Sequence, residues 1–143
     1  FNSEIKHIYT LIFNDLDEES NQVQATIIAP TKELSMQIYK VAQHIASFSP
    51  KAINIKLFSG GTDRLKEIDK LKGNTPQIVI GTPGRLLDLQ KQGHLDLDHL
   101  HFLVLDEADQ MLDMGFINDV KTRKTVRIVE FIKEFSLFFL LEF

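Results

Sequence analysis

The sequence predicts an α/β fold: an open parallel sheet with helices on both faces. Three observations carry this expectation. Short apolar runs recur as QATIIA (24–29), INIKLF (53–58), QIVIG (77–81) and HFLVLD (101–106). Segments of helical periodicity separate them, and the glycines and prolines fall at the joints, apart from Gly115. Strand and helix alternating at this spacing build βαβ units, whose parallel strands need helical crossovers.

Each element follows from its local pattern. LDEESNQ (16–22) is a largely polar stretch and reads as a surface loop ahead of the first strand. Runs 24–29, 77–81 and 101–106 are near-continuous Ile, Val and Leu, as in strands buried on both faces. Run 53–58 alternates Ile53, Ile55 and Leu57 with Asn54 and Lys56, so it predicts a strand with one wetter face. Leu34, Ile38, Val41, Ala42 and Ile45 fall on one helical stripe, and Leu65, Ile68 and Leu71 repeat at three. Thr82-Pro83 is a helix start, with Thr as N-cap and Pro where its missing N–H costs nothing. That helix carries Leu86, Leu87 and Leu89 and should stop near Gly93.

The bulk numbers narrow the class. With 143 residues, 43% hydrophobic and 25% charged, the chain suits one globular domain. It has no cysteine, which excludes disulfides and thiolate metal sites and is compatible with a reducing compartment. Its five histidines form no H-x-x-x-H pair, which argues against zinc. A net charge of −4 gives no global basic field, so any nucleic-acid binding has to be local. FNSEIKHIYTLIF carries no basic leader pattern, and the apolar FSLFFLLEF (135–143) is far shorter than the roughly 20 residues of a membrane span. A cytoplasmic protein without a membrane contact is expected, and both ends read as cuts through something longer.

In an open α/β sheet, ligands bind beyond the carboxyl ends of the strands. That is where the polar peculiarities of this sequence fall. The successive strands run into Pro30-Thr31-Lys32-Glu33, Ser59-Gly60-Gly61-Thr62, Thr82-Pro83-Gly84-Arg85 and Asp106-Glu107-Ala108-Asp109. Taken singly, each has a structural explanation as a cap, a tight turn or solvated helix surface. One acid after a strand can simply favour the next helix's N-terminus, worth about 0.3–1 kcal/mol. Adjacent carboxylates behind a buried strand ask for something positive beside them. In phosphate-cleaving enzymes a strand-end Asp holds Mg²⁺ and the next acid positions the attacking water, and Asp106 and Glu107 fit those places.

VLDEAD (104–109), preceded in order by PTKEL, GG and TPGR and followed by MLDMGF (111–116), resembles the first RecA-like domain of a DEAD-box ATP-dependent RNA helicase. This is a domain of the P-loop NTPase class. The resemblance covers about residues 23–120, so 1–143 reads as a partial helicase ATP-binding domain with a divergent end at 121–143. It implies ATP and Mg²⁺ as cofactors, with Asp106 on the metal through water, Glu107 on the hydrolytic water and Asp109 linking the site to neighbouring motifs. It also implies RNA as partner, bound through its sugar–phosphate backbone by Pro30, Thr31, Lys32, Glu33, Gly60, Gly61, Thr82, Pro83, Gly84 and Arg85. Lys32 stands where the family usually has arginine, which keeps the charge and loses a bidentate fork.

Two features depart from the family pattern. The phosphate loop, A-x-x-G-x-G-K-T, belongs just ahead of the first strand and its preceding helix, yet no glycine occurs before Gly60 and Lys6 is the lone candidate lysine there. A phosphate cradle needs glycines so that successive N–H groups can turn inward. Beyond residue 120 the family's Ser-Ala-Thr is absent, and five of the 11 phenylalanines lie in the final 13 residues. Two accounts of that end stand open. One is a damaged or frame-shifted end, left at an unpaired sheet edge and prone to association. The other is a helix built on Val126, Val129 and Ile132 followed by a strand-like SLFFLL. The family couples ATP hydrolysis to RNA binding and duplex unwinding across two RecA-like domains. This chain alone is therefore expected to be inactive, with a non-catalytic RNA-binding remnant as the alternative.

Overall fold

The structure is a computed structural model that describes residues 3–59, 63–106, 127–132 and 137–142. In chain order it contains α1 (Ser3–Asp15), β1 (Ala25–Ile28), α2 (Lys32–Ala46), β2 (Ile55–Phe58), α3 (Arg64–Leu71), β3 (Ile78–Gly81) and α4 (Pro83–Lys91), then β4 (Phe102–Asp106), β5 (Arg127–Ile132) and β6 (Leu137–Glu142). The strands form one sheet in the order β2-β3-β1-β4-β5-β6. Strands β1 to β4 are parallel, as the apolar runs predict, with Ile28 level with Gly81 and Leu105, and Phe58 level with Gly81. Among the described residues no helix is long and apolar enough to cross a membrane.

Each face of the sheet carries its own core. On one side Ile8, Ile12 and Phe13 of α1 and Ile38 and Ala42 of α2 pack on Ala25, Ile27, Ile78 and Ile80. On the other, Ile68 of α3 and Leu86 and Leu89 of α4 pack on Ile28, Phe58, Val79 and Leu103. The central strands are therefore buried on both faces, which is why they read as continuous apolar runs. At the sheet's edge, β2 buries Ile55 and Phe58 and keeps Lys56 and Leu57 half-buried, so the alternation in its sequence does not give one wet and one dry face.

Helix α1 was not legible as an element, although Ile8, Ile12 and Phe13 already follow a helical period. Its carboxyl end is closed from outside the helix. The Lys51 ammonium donates to the carbonyls of Phe13 (3.2 Å), Asn14 (2.7 Å) and Leu16 (2.7 Å). A cation at this position satisfies orphan carbonyls and meets the negative end of the helix dipole.

Three expectations are corrected. Residues 127–132 form a strand parallel to β4, so Val129 and Ile132 do not belong to a helix. RIVEFI is rich in β-branched residues, which lose side-chain freedom in a helix and suit a pleated surface. Residues 137–142 are a strand, as one of the two accounts of this end has it, and they pair antiparallel with β5, so β4 is not the unpaired edge that the other account expects. In α3 the buried stripe is Glu67 and Ile68 with Leu71 packed against it, whereas Leu65 is 69% exposed.

Among the described residues, one buried hydroxyl in the sheet has no hydrogen-bond partner. The Thr26 hydroxyl, in the middle of β1, makes no hydrogen bond, and its neighbours across the sheet are Val79 and Leu103. Replacing a lone buried hydroxyl by a methyl of similar shape removes a desolvation cost. Thr26→Val is expected to raise the unfolding free energy by about 1 kcal/mol, read from urea denaturation.

Candidate functional site

Because β1 to β4 are parallel and in register, the residues that follow them share one edge of the sheet. Across that edge they stand in the order Ser59, Thr82, Ala29-Pro30 and Asp106. Neighbouring strands lie about 4.8 Å apart, so the row from Ser59 to Asp106 spans roughly 14 Å. The acid thus lies at one end of the row and Ser59 at the other. The two helix starts lie between them.

Each helix start is built differently. Thr31 is the N-cap of α2, and its hydroxyl accepts from the Leu34 N–H at 3.2 Å. Lys32 and Glu33 occupy the first turn and are exposed, while Pro30 is half-buried. Thr82 holds the N-cap position of α4, with Pro83 inside the first turn, but its hydroxyl makes no capping bond. The backbone fixes this segment instead. The Thr82 N–H donates to the Phe58 carbonyl (3.2 Å), the Gly81 carbonyl accepts from the Ala29 N–H (3.0 Å), and the Leu86 N–H donates to Thr82 (3.1 Å). Gly84 is exposed and Arg85 half-buried. The Arg85 guanidinium pairs with Glu67, its Nη1 lying 3.7 Å from Oε2.

Asp106 closes β4 and is partly exposed. Tyr9 of α1 sits where it feels that carboxylate. Burial first, and Asp106 second, push the Tyr9 phenol above its ordinary value, so it stays a neutral O–H. No local pattern in the sequence marks Tyr9, because the two residues are brought together by the packing of α1 on the sheet. Gly60, Gly61, Glu107 and Asp109 lie outside the described residues. Among the described residues there is no cluster of three or more His, Asp or Glu able to hold a metal alone. The hard oxygens of a single strand-end carboxylate do suit Mg²⁺, which keeps several waters and takes one or two carboxylates together with phosphate oxygens. Among the described residues of this row, Asp106 offers such a carboxylate.

A hollow between α1 and α2 is lined by Lys6, Thr10, Phe13, His44 and Phe48, none of which belongs to this row.

Comparison with known proteins agrees with this geometry. The DEAD/DEAH box helicase family profile matches residues 7–138. The chain is 47% identical over 115 residues to the DEAD-box ATP-dependent RNA helicase CshB of Listeria monocytogenes, covering 80% of this chain and 26% of that protein. It is 48% identical over 116 residues to CshB of Bacillus subtilis, with the same coverage. It therefore spans about a quarter of the length of these curated relatives. Among solved structures, the DEAD box protein from Methanococcus jannaschii superposes with a TM-score of 0.76 at 33% identity, over 92% of this chain and 36% of that one. Yeast Dbp5 bound to RNA and ADP BeF3 gives 0.72 at 29% identity, over 90% and 33%. Motif order, strand order and these matches converge, and the chain belongs to the DEAD/DEAH box helicase family.

Proposed function

We propose that this chain is part of a cytoplasmic DEAD-box RNA helicase that couples ATP hydrolysis to RNA binding and duplex unwinding. In this reading the 143-residue chain binds RNA but does not hydrolyse ATP by itself. The observation that carries it is the single row of motifs along the carboxyl edge of the sheet, with helix starts beside a strand-end acid. Pro30 to Glu33, Gly60, Gly61 and Thr82 to Arg85 line the RNA path. Helix-start N–H groups and a guanidinium suit phosphate oxygens, and such contacts position RNA without reading its bases. Asp106 would hold Mg²⁺ through water, Glu107 would orient the attacking water, and Asp109 would link this site to its neighbours. Bound ATP and Mg²⁺ would supply the phosphoryl group and neutralise its charge. A second RecA-like domain would complete the site from the other side.

Nothing in residues 1–59 offers a glycine for a phosphate cradle. That favours, for this chain alone, RNA binding without catalysis. Two titrations test the reading. The chain is expected to bind single-stranded RNA with an affinity that falls steeply with salt and hardly varies with base sequence. Its affinity for ATP·Mg²⁺ is expected to be far weaker than micromolar. Sub-micromolar ATP binding, about −8 kcal/mol or better, would contradict the reading of the first residues. RNA binding that tracks base sequence and ignores salt would remove the backbone path.

A further inference from the structure

Helices α3 and α4 lie on the same face of the sheet and are joined by two charged contacts. Arg64 Nε donates to Asp88 Oδ2 at 2.7 Å, and the same guanidinium reaches the Gln92 side chain. That hydrogen bond, ahead of other effects, holds the Asp88 carboxyl below its ordinary value. The second contact is Arg85 with Glu67, and it is far more enclosed: the side chains are 15% and 1% exposed. Arg64 and Glu67 are three residues apart on α3, and Arg85 and Asp88 three apart on α4, so each pair shares one helix face.

The position of these contacts matters more than their number. Helix α3 starts immediately after the 60–62 segment, with Asp63 as its N-cap, and α4 starts at Thr82. The Glu67–Arg85 pair therefore ties the helix behind one motif to the first turn of another. Burying a carboxylate is costly, and a well-packed apolar pair of similar volume is often at least as stable. Orientation is what the pair offers that an apolar contact would not. The guanidinium is planar and carries five donors. At 3.7 Å its Nη1 and Glu67 Oε2 make an ion pair and not a hydrogen bond, so the carboxylate acts as a buried opposite charge that biases where the guanidinium rests.

We propose that Glu67 is a positioning residue for RNA binding: it holds the Arg85 guanidinium across the α3–α4 interface and so fixes the helix start at 82–85. The proposal rests on the RNA path described above. It has a sign that simple electrostatics would not give. A buried negative charge near a phosphate site weakens binding by repulsion, so removing it should tighten RNA binding if Glu67 is merely a neighbour. If Glu67 aims Arg85, removing it should weaken binding.

The test uses the 143-residue chain and a labelled oligouridylate, with Glu67→Gln, Arg85→Ala and the double variant. Glu67→Gln is expected to weaken binding about fivefold, and the double variant to bind no worse than Arg85→Ala alone, the coupling expected of residues that act together. Amide exchange at Leu86, whose N–H bonds Thr82, should accelerate in Glu67→Gln while Val79 and Ile80 in the core stay protected. Tighter or unchanged RNA binding overturns the proposal, as does a loss that persists in full without Arg85. If the unaltered chain binds no RNA, the proposed function falls, and Leu86 exchange decides the positioning role: acceleration supports it and no change overturns it. Should Glu67→Gln fail to fold, Glu67→Asp, which withdraws the carboxylate by one methylene, is read in the same way.

Discussion

Replacing Gly81 with alanine is expected to lower the unfolding free energy by about 3 kcal/mol, the upper range for a forced insertion into a packed interior. Gly81 ends β3 in the middle of the sheet, directly before Thr82. A Cβ there would overlap the Phe58 carbonyl oxygen and crowd the Leu86 side chain at 3.1 Å. The obstructing atom is backbone in the neighbouring strand, so no rotamer change relieves it. Either β2 or β3 has to move, and that disturbs the ladder bonds of Gly81 and Thr82. Gly84, three residues on, provides the contrast. A Cβ at Gly84 meets nothing within 4 Å, so Gly84→Ala should leave stability within about 0.5 kcal/mol or improve it slightly. Urea denaturation of both variants checks the pair. RNA binding separates them again: Gly84→Ala should weaken it in a folded protein, because the new methyl occupies the space where a phosphate would approach the helix start. If Gly81→Ala unfolds at the same urea concentration as the parent, the close approach of β2 and β3 is not real.

Ending the chain at Asp119 is expected to cost a large part of its stability. The cut removes β5 and β6, and with them the partner of all five β4 residues from Phe102 to Asp106. Strand β4 would become an edge whose N–H and C=O groups face solvent or another chain. A domain of this size has only about 5–15 kcal/mol in hand, so losing several kcal/mol leaves a substantial unfolded fraction. The measurement is urea unfolding of both chains beside their sedimentation. The shorter chain should unfold earlier and aggregate more, with faster amide exchange along β4 first. The full chain keeps β6 as its outer strand, and an apolar edge of sequence LFFLLE is itself prone to association. A shorter chain that is equally stable and more monomeric would return the tail to the role of an appended, sticky segment.

The parts of this molecule that the sequence determined are those governed by residues within a turn or two of one another. Continuous Ile and Val runs became buried strands β1, β3 and β4, and the alternating run became the edge strand β2. Thr31 caps α2 because its hydroxyl reaches an N–H only three residues away. Even the row of motifs followed, since parallel strands joined by crossovers bring their carboxyl ends to one side. Tertiary structure alone decided what depends on strand order and helix rotation. Lys51 closes a helix that ends thirty-odd residues earlier in the chain. Tyr9 comes under the influence of Asp106 from the opposite end of the sequence. Glu67 is buried while Leu65 on the same helix is exposed, the reverse of what hydrophobicity ranks. The reason is that a charge can be buried where a cation meets it, and Arg85 is supplied by a different helix. The tail shows the same limit: β-branched residues spaced at three suited either a helix or a strand, and the free edge of β4 selected the strand.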